Sequence, residues 1–129
     1  MTGADSKGDL SQHFSRSEFA CHCGCGFGLG EHDVSAELVR VLEGIRAHFD
    51  APIMIVSGCR CARHNRTVGG ARFSRHVLGQ AADIRVQGVV PKAVADFLCE
   101  RYARTFGVGR YGTWTHVDVR ATRARWGAN

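Results

Sequence analysis

Two polar segments far apart in the chain constrain its fold more than any other feature. Residues 74–83 contain one histidine and one aspartate, and residues 114–118 contain a second histidine. A catalytic zinc site typically takes three N and O ligands from the protein and leaves a fourth position for water or substrate. A capped loop with a salt bridge would also account for each residue singly. The pattern therefore predicts either such a loop or a metal site at His76, Asp83 and His116, which the fold must bring together.

Length, composition and charge limit the class of protein. A chain of 129 residues is long enough for one domain with its own core. Its 44% of hydrophobic and 22% of charged residues are typical of soluble globular proteins. The formal net charge of +5 favours an anionic partner, which can be nucleic acid, an acidic membrane surface or an anionic cell-wall polymer. No stretch is long and apolar enough to span a membrane.

The first residues of the chain are small and polar. They lack the apolar core of a secretory signal peptide. We therefore predict a flexible N-terminal segment at residues 1–12 and a single domain at residues 13–129. A protein of this kind is made in the cytoplasm, so that action outside the cell requires release by another agent or a leader that has been lost.

Apolar periodicity predicts the order of secondary structure. Apolar residues recur at helical spacing between residues 35 and 49, and Pro91 opens a second helix. Four stretches have strand patterns, at residues 53–56, 82–86, 106–111 and 114–120. This order predicts an α+β domain with a mainly antiparallel sheet and helices packed on one face. Strand alternation places His116 and Asp118 on the same face of the last strand.

Five of the six cysteines lie in two tight groups, at Cys21, Cys23, Cys25, Cys59 and Cys61. Residues two positions apart rarely pair with each other, so a disulfide would join the groups, from Cys21 or Cys23 to Cys61. A structural zinc held by several thiolates, with His22 as a further ligand, is a second interpretation, and free thiols are a third. Cys99 lies in an apolar helical pattern and is predicted to be a core residue.

Several motifs occur together in this chain. They are Ser57-Gly58-Cys59-Arg60, His64-Asn65, Ser74-x-His76-x-x-Gly79-x-Ala81-x-Asp83 and His116-Val117-Asp118. Together they resemble the zinc D-alanyl-D-alanine peptidase family, whose relatives include carboxypeptidases, dipeptidases, phage endolysins, murein endopeptidases and the hedgehog signalling domain. The cysteine-rich opening at residues 14–26 resembles a phage-associated branch, so that the similarity extends over residues 14–126.

The resemblance implies a role for each matching residue. His76, Asp83 and His116 would hold a catalytic zinc, which polarises a carbonyl and activates water. Arg60 would bind the substrate carboxylate or the developing oxyanion, for which its planar fork of donors is suited. A structural ion pair is the alternative for this arginine. Ser74 would contribute to substrate binding or orient a ligand or its loop.

The general base is where the chain departs from its better-known relatives. Many of these have a glutamate three residues before the last zinc histidine, or a histidine two residues before it. The corresponding residues here are Thr113 and Trp114, neither of which accepts a proton near neutral pH. Asp118 is the nearest candidate base, and it can equally hold a histidine ligand in place through the other ring nitrogen. His64 and Glu31 are weaker candidates.

These features lead to a functional hypothesis and an alternative. The motifs and the basic charge predict a zinc peptidase that cuts an amide bond in peptidoglycan stem peptides or cross-links, with action at the cell wall or periplasm after phage-type release. The absent glutamate favours, as the alternative, a non-catalytic zinc module that binds cell wall or protein. Nucleic acid is not an expected partner, because the arginine-rich run at residues 60–75 has little interleaved aromatic character. We expect a monomer.

Overall fold

A computed structural model describes residues 8–127 of the chain. Residues 1–7, which belong to the predicted flexible N-terminal segment, and residues 128–129 lie outside the described part. The helices are α1 (Ala36–Phe49), α2 (Ala62–Thr67) and α3 (Pro91–Arg101). The strands are β1 (Ile53–Ser57), β2 (Ala81–Val86), β3 (Gly107–Arg110), β4 (Thr115–Asp118) and β5 (Ala124–Gly127). Short 3-10 helices occur at Arg16–Phe19 and Arg75–Leu78.

The five strands form one sheet in the order β1-β2-β4-β3-β5. The first three pairings are antiparallel, and β3 pairs with β5 in parallel. Helices α1 and α3 pack against the sheet. The predicted α+β class with a mainly antiparallel sheet is therefore confirmed. Strand β5 was not predicted, and the two strands before it are shorter than the patterns at residues 106–111 and 114–120 indicated.

Helix α1 supplies much of the core. Ser35 caps its N-terminus by accepting a hydrogen bond from the Leu38 amide at 3.3 Å. Residues at helical spacing turn one face inward, and the buried ones are Leu38, Val39, Val41, Leu42 and Ile45. The helix ends at Phe49, and Asp50 follows it as the C-cap in a left-handed conformation. No helix within the described residues is long and apolar enough to cross a membrane.

Strand alternation separates the apolar core from the polar face of the sheet. Ala82 and Ile84 on β2, and Val117 on β4, belong to the buried hydrophobic cluster. Asp83 and His116, which alternate with these residues, therefore point to the opposite face. Helices α1 and α3 thus pack on one side of the sheet, and Asp83 and His116 lie on the other side.

The described part of the N-terminal segment contacts α1 through Glu43. The Ser11 hydroxyl donates a hydrogen bond to this carboxylate at 2.6 Å, and the His13 amide donates another at 2.8 Å. Nδ1 of His13 lies 2.6 Å from the second carboxylate oxygen. Residues 11–13 are therefore held on the helix by several polar contacts to one side chain.

Candidate metal centre

The fold brings together His76, Asp83 and His116, which we call the histidine–aspartate site. Each residue offers a ligand atom, and these atoms lie within 4.8 Å of one another. Asp83 on β2 is directly opposite His116 on β4, and His76 comes from the 3-10 helix that precedes β2. All three residues are buried. Sheet register and a short helical turn therefore position the two polar segments that the sequence singled out.

The turn that carries His76 is fixed at both ends. The Ser74 hydroxyl accepts a hydrogen bond from the His76 amide at 3.2 Å. Gly79 ends the turn with φ of 69°, and a Cβ at this position would lie 1.8 Å from the carbonyl oxygen of Asp33. The Ser74 side chain thus contacts the backbone of the turn, and Ser74 also lines the adjacent cavity.

The ring of His76 has one nitrogen available for a metal. Its Nδ1 lies 2.7 Å from the carbonyl oxygen of Gly58, which only accepts hydrogen bonds, so that Nδ1 carries the proton. Its Nε2 lies 3.4 Å from Oδ1 of Asp83. A neutral imidazole with this tautomer presents its lone pair towards the aspartate, as a metal ligand requires.

The ring of His116 lies between two carboxylates. Nδ1 is 2.9 Å from Oδ1 of Asp83, and Nε2 is 2.8 Å from Oδ2 of Asp118. Burial acts to lower the pKa of His116, but the two carboxylates outweigh it and raise this pKa above its ordinary value. Nδ1 therefore faces the histidine–aspartate site, and the opposite nitrogen is held by Asp118.

Asp118 is completely buried, with 0% of its surface exposed. Arg120 donates to both carboxylate oxygens, from Nε and from Nη2, at 2.8 Å each. The Arg120 amide adds a contact to Oδ1 at 3.1 Å. Burial acts to raise the pKa of Asp118, but the bonds from His116 and Arg120 outweigh it and hold the pKa well below its usual range. Both oxygens of this carboxylate already accept hydrogen bonds, and it contacts the His116 ring at the nitrogen that faces away from Asp83.

The predicted substrate arginine is part of the same network. Arg60 donates from Nη2 to Oδ2 of Asp83 at 3.3 Å, from Nε to the Ser57 hydroxyl at 3.1 Å and from Nη1 to Oδ1 of Asn65 at 3.2 Å. The two oxygens of Asp83 therefore have separate partners, since Oδ1 faces the histidines and Oδ2 faces Arg60. The arginine forms the ion pair named as its structural alternative, and it also lines the cavity.

A cavity of about 630 Å³ opens onto the histidine–aspartate site. Its charged wall contains four arginines, Arg60, Arg72, Arg75 and Arg120. Its aromatic wall contains Phe73, Tyr111, Trp114 and Trp126. Among the described residues that line it, Asp83 is the only carboxylate. The cavity therefore suits an anionic ligand that has apolar or ring surfaces.

The weaker base candidates lie elsewhere. His64 and Glu31 are absent from the described lining of the cavity. The His64 ring packs 6.2 Å from the ring of His22, and the Glu31 side chain is 69% exposed beside His32. Asp118 is likewise absent from the described lining. None of the three predicted bases reaches the cavity in this conformation.

The C-terminal strand adds cavity residues that the sequence patterns did not predict. The Trp126 indole donates from Nε1 to the Tyr111 hydroxyl at 2.9 Å, and its ring lies 4.9 Å from that of His116. Arg120 is placed over the same indole at 5.2 Å. Strand β5 has no apolar alternation from which a strand could be predicted. The presence of Trp126 was the only sequence feature that could have indicated a role for this segment.

The cysteines divide differently from the two sequence groups. The sulfurs of Cys21, Cys23, Cys25 and Cys61, which we call the cysteine cluster, lie within 4.8 Å of one another. Cys59 lies outside it and is buried, with its sulfur 3.9 Å from the Asp33 carbonyl oxygen. All six cysteines, which fall within the described residues, are free. This structure has no disulfide between the two groups, which was one of the three interpretations, and four thiols converge instead.

Comparison with known families agrees with this geometry. A sequence model of the peptidase M15 family matches residues 12–118, which is most of the chain. The chain therefore belongs to the peptidase M15 family, whose members are zinc-dependent metallopeptidases. The match contains the whole histidine–aspartate site and ends before β5. No match was found among curated proteins.

Proposed function

We propose that this protein is a zinc peptidase that hydrolyses an amide bond in peptidoglycan stem peptides or their cross-links. The observation that carries the proposal is the buried histidine–aspartate site at the wall of an arginine-lined cavity. Membership of the peptidase M15 family supports metallopeptidase chemistry. The choice of peptidoglycan as substrate rests on the sequence motifs and on the charge of the cavity.

The residues fit a zinc ion by their chemistry. Nε2 of His76, Oδ1 of Asp83 and Nδ1 of His116 are N and O donors of the kind that catalytic zinc takes from a protein. The outer atoms of the set are bound by Gly58, Asp118 and Arg60, which is the outer support that such ligands need. A zinc ion held there would polarise the scissile carbonyl and activate water for attack.

Asp118 is assigned the positioning role rather than that of general base. Its two oxygens accept bonds from His116 and Arg120, and it is fully buried. A carboxylate in these bonds with a strongly depressed pKa is a poor proton acceptor near neutral pH. We propose that it fixes the His116 ring so that Nδ1 faces the metal.

The arginines support recognition of an anionic peptide. Stem peptides carry free carboxylates, and an arginine binds a carboxylate through two parallel hydrogen bonds. Arg60 donates a hydrogen bond to Asp83 of the histidine–aspartate site, so that we assign it the substrate carboxylate or the oxyanion. The aromatic wall would pack against the apolar parts of the same ligand.

The best test is digestion of muropeptides by zinc-loaded protein, followed by mass spectrometry. We expect a fragment from cleavage of one type of amide bond and no such fragment with His76→Ala, measured on protein with native circular dichroism. The released fragment distinguishes a carboxypeptidase, which frees D-alanine, from an endopeptidase. No cleavage of any murein preparation by wild-type protein with bound zinc would refute peptidase activity on this substrate.

One observation favours a second candidate, a non-catalytic binding module. Among the described lining residues the cavity has no carboxylate besides Asp83, so that it lacks an obvious proton acceptor. A binder would retain zinc and muropeptide affinity in calorimetry and yield no product.

Under either candidate we propose a monomer that is made in the cytoplasm and acts on the cell wall after release of the phage type.

A further inference from the structure

The cysteine cluster lies apart from the cavity and has no part in the proposed reaction. Three of its thiols come from the glycine-rich loop after the first 3-10 helix, and Cys61 comes from the residue that precedes α2. The sulfurs of Cys21 and Cys23 are 3.4 Å apart, and those of Cys23 and Cys61 are 3.7 Å apart. Four thiols from two distant parts of the chain therefore converge on one point.

We propose that these four thiolates bind a structural zinc ion. Zinc in a tetrahedral site of four cysteines has Zn–S bonds of about 2.3 Å, which places neighbouring sulfurs about 3.8 Å apart. The separations in the cluster lie close to this value, and the largest is within 4.8 Å. Each thiol would give up its proton to solvent as its bond to zinc forms. Small adjustments of exposed side chains would complete the tetrahedron.

Backbone amides support sulfur in its anionic form. The Cys61 amide donates to Sγ of Cys21 at 3.4 Å, and the His64 amide donates to Sγ of Cys61 at 3.3 Å. These contacts orient one sulfur from each side of the cluster. Four thiolates so close together repel one another unless a cation lies between them, because opposite charge must compensate the anions. A divalent ion is therefore the natural partner of this arrangement.

The proposed ligands are the four cysteines alone, because the neighbouring candidates Cys59 and His22 lie outside the cysteine cluster. Cys59 is buried with its sulfur towards the Asp33 carbonyl, and it is outside the group. His22, which the sequence indicated as a further ligand, packs against the His64 ring and is also outside the group. Four protein ligands leave no open position for water or substrate, so that the ion would be structural.

The proposed ion would also secure the segment that carries Arg60. Cys61 follows this arginine directly, and the amides of Cys59 and Arg60 donate to the carbonyl oxygens of Phe19, at 2.8 Å, and of His76, at 3.1 Å. The segment is thus held between the N-terminal loop and the histidine–aspartate site. The ion would cross-link the loop to this segment, and its existence does not depend on peptidase activity.

Metal analysis of zinc-replete protein tests the proposal. We expect two zinc ions per chain in the wild type, one in His76→Ala and one in the double variant Cys23→Ser/Cys61→Ser. The matched control Cys59→Ala removes a neighbouring thiol that is not a ligand, and it should retain two. A wild type with a single zinc that His76→Ala removes would overturn the proposal.

X-ray absorption at the zinc edge makes the test independent of folding of the cysteine variants. In His76→Ala we expect a shell of sulfur alone at about 2.3 Å, and in the wild type a mixture of sulfur with nitrogen and oxygen. Absence of sulfur scattering in the zinc-replete wild type would refute the site. So would an intact mass, under denaturing conditions, lower by the two hydrogens that a disulfide removes. Either result leaves the histidine–aspartate site unaffected.

Discussion

Replacement of Asp118 by asparagine separates the two roles that this residue can have. The substitution keeps the size of the side chain and removes its charge. In the wild type the carboxylate accepts four hydrogen bonds, from Nε2 of His116 and from Nε, Nη2 and the amide of Arg120. Asparagine has one carbonyl oxygen, and its NH2 group would face donors. One side of the carboxylate therefore loses its contacts.

The expected change in the free energy of unfolding follows from these contacts. Each bond to a charged group contributes about 1.5–3 kcal/mol, and about two of the four are lost. Removal of one partner of a buried ion pair costs roughly 3–5 kcal/mol. Because the Arg120 side chain is 25% exposed and water screens part of its charge, we expect Asp118→Asn to lower the free energy of unfolding by roughly 2–4 kcal/mol.

The zinc affinity of Asp118→Asn distinguishes the positioning role of this residue from that of a general base. Loss of an outer partner of a ligating histidine typically lowers metal affinity by about 10–100-fold. We therefore expect competition with a fluorescent chelator to give this loss in Asp118→Asn, and activity to recover in excess zinc. Asp96→Asn is the control, since its carboxylate pairs with Lys92 and Arg110 on the surface. Unchanged zinc affinity together with activity that zinc does not restore would refute the positioning role and indicate proton transfer.

Three further substitutions test neighbouring features. A Cβ in Gly107→Ala would lie 2.3 Å from the carboxylate of Asp118. We therefore expect a loss of zinc affinity similar to that of Asp118→Asn, although the charge of Asp118 is kept. The same chelator assay measures this loss. Gly44→Ala should raise the free energy of unfolding in urea by about 1 kcal/mol, because this exposed helical position has nothing within 4 Å of an added Cβ. Glu43→Gln should cost about 1–2 kcal/mol at pH 7. Burial acts to raise the pKa of Glu43, but hydrogen bonds from Ser11 and His13 outweigh it and lower the pKa, so that the stabilisation is full above pH 4.5 and is lost as the pH falls below it. Urea unfolding at several pH values should show the difference between wild type and Glu43→Gln shrinking in acid, and a constant difference would contradict this account.

The sequence predicted the parts of the fold that local pattern controls. Helix α1 has a clear apolar stripe, and alternation along each strand separates Asp83 and His116 from their apolar neighbours. The motif resemblance, together with the N and O ligand types, predicted which three residues would form a zinc site. These predictions needed only the order of residues along single elements.

The rest depends on contacts between elements. Strand β5 has no local pattern and exists through its parallel pairing with β3, so that Trp126 could not be placed in the cavity. The face shared by His116 and Asp118 was correct, but alternation does not say that the carboxylate binds the outer ring nitrogen. Likewise, only the folded loop puts Cys25 inside the cysteine cluster and Cys59 outside it.

Strand β3 has an evolutionary consequence through its two glycines. A side chain at Gly107 would collide with Asp118, and one at Gly109 would lie 2.6 Å from the indole nitrogen of Trp126. Each glycine therefore makes room for one partner across the sheet. Among relatives of this chain, we expect a larger residue at either position to be accompanied by a smaller one at its partner. Such paired exchanges would record, in sequence alone, which homologues have changed the residues that contact His116.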